Sequence, residues 1–482
     1  MPGRPRSLAL PAAVALALAG CAVGPRYQPP ATPPTAAGGF VSTDGASAAA
    51  QPTPPLWWRL YQDPILDRLV GEALTENNDL KAAAANLAYA QGLLTEARAG
   101  RFPTTDLYAS PAYEHSNATK TNTTTYGATF VAAYQVDLFG RVTRTIQAAK
   151  ANAEATQDTQ DAVRVTVAAE TAQAYADICG YGRQVAVAKF SLSILQQTYD
   201  LTVTERNAGA LSDFDVDREG VLLEQARAAV PVYEGERRVA LFTLAALIGR
   251  TPAQIPSDAA ACVTPPRLSQ PLPVGDGAAL LRRRPDVRQA ERQLAAATAR
   301  IGVATADLYP TITLAGSVSS AAGTLSGVFT RGAVSYGAGP TNSATPSLIT
   351  WTFPNISLAR AHIREARAQA SSALASFDST VLTALKETEQ ALATYAGELA
   401  HNAALGAARD RADEALKLAN VQYQSGSFNF LDLLTAQATA VNADQALAAS
   451  DQSLSRDQVA VFQALGGGWE DAPRVTPPAL AK

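Results

Sequence analysis

Two aspartates hold matching places in the chain. Asp215 lies six residues beyond Gly209 and Asp432 six residues beyond Gly426 (215−209 and 432−426). A carboxylate just past a turn glycine falls in the first turn of the helix that follows, where it offsets the positive helix end by roughly 0.3–1 kcal/mol. Asp213 is placed for the same role. Other candidates for chemistry are few. The three histidines, His115, His362 and His401, fall on a loop and one long helical stretch, and no HExxH, CxxC, GxSxG or phosphate-loop pattern occurs. No nucleophile, base or ligand set assembles, so an enzyme is not expected, and no cofactor or metal. Cys179 falls on an apolar seam with Val165, Ala168, Ala172, Tyr175 and Ala186 and reads as a small buried side chain, whereas Cys262 lies in a Pro-rich connector. A disulfide is chemically open to both and undecided by sequence.

The elements that position the aspartates are helices of unusual length. Arg141–Asn207 runs 67 residues without proline, about 100 Å at 1.5 Å per residue, and Ser357–Gln424 runs 68. In the second, Val381, Leu385, Thr388, Leu392, Tyr395 and Leu399 step by four and three, a coiled-coil seam. Each long helix reaches a turn, around Gly209 or Gly426, and a shorter helix returns over Asp213–Gly249 or Phe430–Leu465. A further helical pattern runs from Pro64 to about Ala99, with a break expected at Asn77–Asn78, and its counterpart covers Gly277–Ala304. Arg282, Arg283 and Arg284 beside Pro285 read as a solvated helix start.

Between these helices the texture changes to strands, expected at about 104–114, 124–137, 311–320 and 345–353, with a polar loop over 115–123. Tyr126, Ala128, Phe130, Ala132, Tyr134 and Val136 alternate onto one apolar face, as do Ile312, Leu314, Gly316 and Val318. The two tyrosines stand about 26 Å apart along a strand, close to the spacing of aromatic girdles at the two faces of a bilayer. A one-sided sheet over a soluble core shows similar alternation, so periodicity alone leaves both open. Four strands cannot close a membrane barrel, which needs about eight, so strands that span lipid must be pooled from several chains.

Composition fits this picture: aromatic residues make up 7%, Met occurs once, and net charge is −4, with no basic block, so nucleic acid is not an expected partner. Arg4 and Arg6 precede an apolar run from Leu8 to Leu18 that ends in Leu18-Ala19-Gly20-Cys21, a secretory leader. The segment is similar to a bacterial lipobox; an ordinary leader that ends near a cysteine is the alternative.

The chain also repeats itself. Asp79 and Pro103 recur as Asp286 and Pro310 at an offset of 207; Tyr134, Gly209 and Asp215 recur as Trp351, Gly426 and Asp432 at 217. The second copy opens with RRPDVRQAER and ARIGVATADLYPTITL. With CAVGPRYQPP at 21–30, WWRLYQDPILDRLV at 57–70, YQVDLFGRV at 134–142, WTFPN at 351–355 and ALGGGW at 464–469, it closely resembles the TolC-like outer membrane factors, in particular the NodT branch of efflux lipoproteins.

The resemblance implies a mainly α fold with a β-barrel part. A long coiled-coil α-helical barrel would join a four-strand contribution per chain to a trimeric twelve-strand barrel in the outer membrane. Residues 1–20 would be the signal peptide and 21–56 a lipidated, extended tether. The first repeat would span 57–249, a Pro-rich equatorial connector 250–276, the second repeat 277–465 and a tail 466–482. Cys21 would bear N-acyl and S-diacylglycerol lipid. The function implied is the passive exit duct of a tripartite efflux system, working as a homotrimer in outer-membrane lipid with a periplasmic adaptor (membrane fusion) protein and an inner-membrane pump of the RND type. The alternatives are a duct for type I protein secretion and a non-conducting lipid-anchored scaffold. The family's constriction maps onto Leu431, Asp432 and Thr435, its hairpin-tip contacts onto Asp215, Tyr423 and Phe428, and adaptor docking onto the turns at Gly209 and Gly426. Phe428 stands where a basic residue is usual and Thr435 where a second acid is usual. One acidic ring is therefore expected rather than two, with no latch from Asp215 to position 428.

Overall fold

The computed structural model describes residues 22–31, 33–43, 48–268, 270–338 and 349–478. The leader, Cys21 and the first part of the expected last strand fall outside them. The chain divides into two compact units. One comprises residues 1–30, 88–156 and 290–378, the other 31–87, 157–289 and 379–482.

The helices, in chain order, are α1 (Pro64–Glu76), α2 (Asn78–Ala99), α3 (Arg141–Asn207), α4 (Asp213–Leu247), α5 (Ser257–Ala260), α6 (Gly277–Arg283), α7 (Pro285–Ala306), α8 (Ile356–Gln424) and α9 (Phe430–Ala464). The repeat is visible in their lengths: α3 and α8 have 67 and 69 residues, α4 and α9 have 35 each, α2 and α7 have 22 each. The expected break falls at Asn77, whose Oδ1 accepts from the backbone N–H of Asp79 and Leu80 while its Nδ2 donates to the Leu247 carbonyl at 3.0 Å. Asn77 ends α1 and caps α2 with one side chain. The expected helix over 277–304 is instead two pieces, because Pro285 cannot supply the N–H that a continuous helix needs there.

The strands are β1 (Ala48–Ala49), β2 (Thr104–Ser116), β3 (Thr121–Val136), β4 (Leu272–Pro273), β5 (Thr311–Ala322), β6 (Val334–Ala338) and β7 (Ile349–Thr352). In the first unit β2, β3 and β5 pair antiparallel in that order, and β6 and β7 pair with separate stretches of the free side of β5. They share one place in the sheet, so four strand positions result. Register joins the two apolar faces read from sequence: Phe130 stands opposite Val318 and Leu107, Tyr134 opposite Leu314, and Val136 opposite Ile312. Among the described residues both outer edges are unpaired, and Leu107, Tyr108 and Tyr113 on β2 are more than half exposed.

The second unit holds the main core. Trp57, fully buried, stacks on Phe462 with ring centroids 4.7 Å apart. Tyr175 is also buried there and donates to the Asp63 carboxylate at 3.0 Å. The seam of α8 is buried at Val381, Thr388, Leu392 and Tyr395. Cys179 of α3 is bonded to Cys262 of the connector, so the question that sequence left open is answered by a disulfide. Gly182, one turn along α3, permits the approach: a Cβ there would stand 2.3 Å from the Cys262 carbonyl oxygen. The tether lacks regular period, yet β1 within it pairs in parallel with β4 of the connector.

Arg283 and Arg284 are not solvated as the sequence suggested. Arg284 is buried, paired with Asp286 at 2.6 Å and Glu387 at 2.8 Å, and its Nη1 donates to the Ala464 carbonyl at 2.9 Å. Arg283 donates to the Leu465 carbonyl at 3.0 Å. The C-terminal end of α9 presents unsatisfied carbonyls, and the two guanidinium groups satisfy them. Arg282 alone faces solvent.

Candidate functional site: the two hairpin turns

Both hairpin turns lie in the second unit and use the same local chemistry. At the end of α3, Gly209 adopts φ +82°, and the Ala210 N–H reaches back to the Glu205 carbonyl at 2.9 Å. At the end of α8, Gly426 adopts φ +73°, and the Ser427 N–H reaches the Gln422 carbonyl at 2.8 Å. A left-handed residue closing such a bond is the Schellman end of a helix, and glycine fills it at least cost. No atom would crowd a Cβ at either glycine, so backbone conformation rather than packing requires them.

The returning helices start with matching caps. Ser212 Oγ accepts from Asp215 N at 3.3 Å while the Asp215 carboxylate accepts from Ser212 N at 3.1 Å. Asn429 Oδ1 accepts from Asp432 N at 3.0 Å, and Asp432 Oδ2 from Asn429 N at 3.4 Å. Both aspartates therefore close capping boxes. The Ser212 hydroxyl, with the Ser212 N–H, holds the Asp215 carboxyl below the usual carboxylate range. Asp213 pairs with Arg206 across the first turn.

Beyond capping, α9 splits cleanly into faces. Phe430, Leu433 and Leu434 are buried with Ala419, and Gln437 beneath them donates to Thr198 Oγ1 at 2.8 Å. Leu431, Asp432 and Thr435 share the exposed side, one turn apart. Phe428 stands 41% exposed at the turn. Tyr423 leans on Phe430 and donates its hydroxyl to Glu205 of α3, not to Asp215. Burial first, then the Glu205 hydrogen bond, pushes its phenol up to about 12, with the Asp215 charge contributing least. Glu205 was not among the hairpin-tip residues expected from sequence.

A second acid was missed. Glu219, on α4 four residues beyond Asp215, is fully buried, and among the described residues neither carboxylate oxygen has a hydrogen-bond partner. Burial pushes its carboxyl up to about 7. Leu223 and Ala226 are buried beside Leu195 of α3, and one step of four back along that face lands on Glu219.

Each half of the chain runs through strands, a long helix, a glycine turn and a returning helix, the order expected of a TolC-like channel. A family model described as "Outer membrane efflux protein" matches residues 69–250 and 278–467. Nodulation protein T of Rhizobium leguminosarum bv. viciae is 30% identical over 475 residues, 97% of this chain and 94% of that protein. Outer membrane protein OprJ of Pseudomonas aeruginosa is 31% identical, with 95% of each chain covered. The solved structure of the outer-membrane channel OprN superposes with a TM-score of 0.86 at 32% identity, covering 93% of this chain and all of that one. The chain belongs to the outer membrane efflux protein family: it is a non-enzymatic outer-membrane channel that works with the other components of an efflux pump.

Proposed function

We propose that three copies of this chain pool their strands into one twelve-stranded barrel in the outer membrane, with their helical hairpins lining a common bore. The observation that carries this is the sheet, which among the described residues has four strand positions and both edges unpaired. In hydrocarbon each unsatisfied backbone group costs several kcal/mol, and only closure removes an edge. Among the described residues no helix is long and apolar enough to cross a membrane.

In this assembly the exposed face of α9 carrying Leu431, Asp432 and Thr435 forms the periplasmic constriction. Three Asp432 carboxylates around the axis favour cations and repel one another. Asp215, Tyr423 and Phe428 set the packing of neighbouring hairpins, and the bare turns at Gly209 and Gly426 receive the periplasmic adaptor, which joins the duct to an RND-type pump. Cys21 carries the lipid that holds the chain at the inner leaflet. The purified protein should run as a heat-modifiable trimer and open single-channel steps in planar bilayers. A monomer with no conductance would end this reading.

A further inference from the structure

The segment that follows Cys21 is fastened into the first unit where the chain leaves β3 for α3. Val23 N donates to the Phe139 carbonyl at 3.1 Å, and Arg144 donates to the carbonyls of Val23 and Gly24, each at 3.1 Å. Gly140, at φ +78°, lies so close that a Cβ there would stand 2.6 Å from Ala22 Cα. Beside this junction opens a cavity of about 420 Å³, with Arg26, Tyr27, Arg144, Lys150, Glu154 and Arg292 among its lining.

The charges around the cavity do not balance. Arg292 is matched by Glu291 and by Glu154, the latter at 3.2 Å, and Lys150 shares Glu154 at 3.6 Å. Arg144, 4% exposed, bonds only backbone carbonyls and the Gln147 amide oxygen at 3.0 Å. Among the described residues no carboxylate pairs with Arg26 or Arg144. Burial first, and then the charge of Arg26, works against the Arg144 cation. A buried guanidinium beside a second unpaired one calls for an anion, and the cavity leaves room for it.

If the strands span the bilayer as proposed, this junction lies at the periplasmic rim of the sheet, next to the residue that bears the lipid. The anion available at that level is a headgroup. We propose that Arg26, Arg144 and Lys150 hold the phosphate diester of an anionic glycerophospholipid, so that a bound lipid sits beside the covalent one. A free phosphate offers the same oxygens, and the test separates the two.

Native mass spectrometry of the full acylated protein, released from phosphatidylglycerol-containing micelles, should find phosphatidylglycerol retained beyond the covalent lipid mass. Arg26→Gln with Lys150→Gln should weaken retention about thirtyfold, the share of two basic residues at an anionic surface. Arg26→Lys with Lys150→Arg should retain it. Equal retention by the neutral variant and the wild type overturns the proposal, as does loss in the charge-conserving one. Stabilisation by inorganic phosphate alone, without lipid retention, overturns the lipid assignment. Trimer mobility and conductance should not change in either variant, so failure here is distinct from failure of the channel reading.

Discussion

Glu219→Gln isolates the cost of one buried acid in the first hairpin. The wild-type carboxyl is pushed from 4.5 in the open chain to about 7 in the fold, by burial alone. The folded chain therefore binds the proton more tightly, and stability falls as pH rises through that window, with the loss complete above about pH 7. Below about pH 4.5 both states are protonated and no penalty remains. Each pKa unit is worth roughly 1.4 kcal/mol, which sets about 3 kcal/mol per chain as the ceiling. The amide copies the shape of the protonated acid without its charge. Thermal melts of the detergent-solubilised assembly at about pH 5 and about pH 8 should show the variant above the wild type at the higher pH and level with it at the lower. Asp177 and Asp444, also pushed up by burial, titrate in both proteins, so the difference between the two melts is the quantity to read. A constant gap between the curves at every pH would refute the reasoning, because it would mean that Glu219 does not change its charge in that range.

Asp432→Ala should raise single-channel conductance or weaken cation preference; identical traces would remove Asp432 from the constriction and leave it a capping residue, worth about 1 kcal/mol. Reduction of Cys179–Cys262, or Cys262→Ser, should lower the melting temperature, since the bond closes a loop with a sequence separation of 83 and limits the unfolded chain by about 4 kcal/mol. An unchanged melt in dithiothreitol would show that burial of α3 and the connector holds without the bond. Cys21→Ser should abolish incorporation of labelled palmitate while trimers still form, because strand pairing does not involve the lipid; palmitate label on that variant would contradict lipid attachment at Cys21.

Features set by local rules were legible. The two turns could be placed from Gly209 and Gly426 because a left-handed helix end asks for glycine whatever surrounds it. The faces of β3 and β5 could be read because strand alternation is fixed by the pleat, and register then brought Tyr134 opposite Leu314. What sequence could not show was decided at long range. Arg284 reads as a solvated charge until Glu387 and the end of α9 are brought to it from more than 100 residues away. The Tyr423 hydroxyl donates to Glu205 of α3, a partner 218 residues away in sequence that only the packing of the hairpins brings to it. Glu219 was passed over because a lone glutamate on a long helix is usually a wet one; only the packing of α4 on α3 makes it dry.

The bare margins of the sheet have a meaning for the chain's life before assembly. If the wall closes only when copies meet, as proposed, each molecule until then carries two hydrogen-bonding borders that accept any extended segment on offer. Copies that meet slowly are therefore open to wrong pairing along β2 before the wall can close.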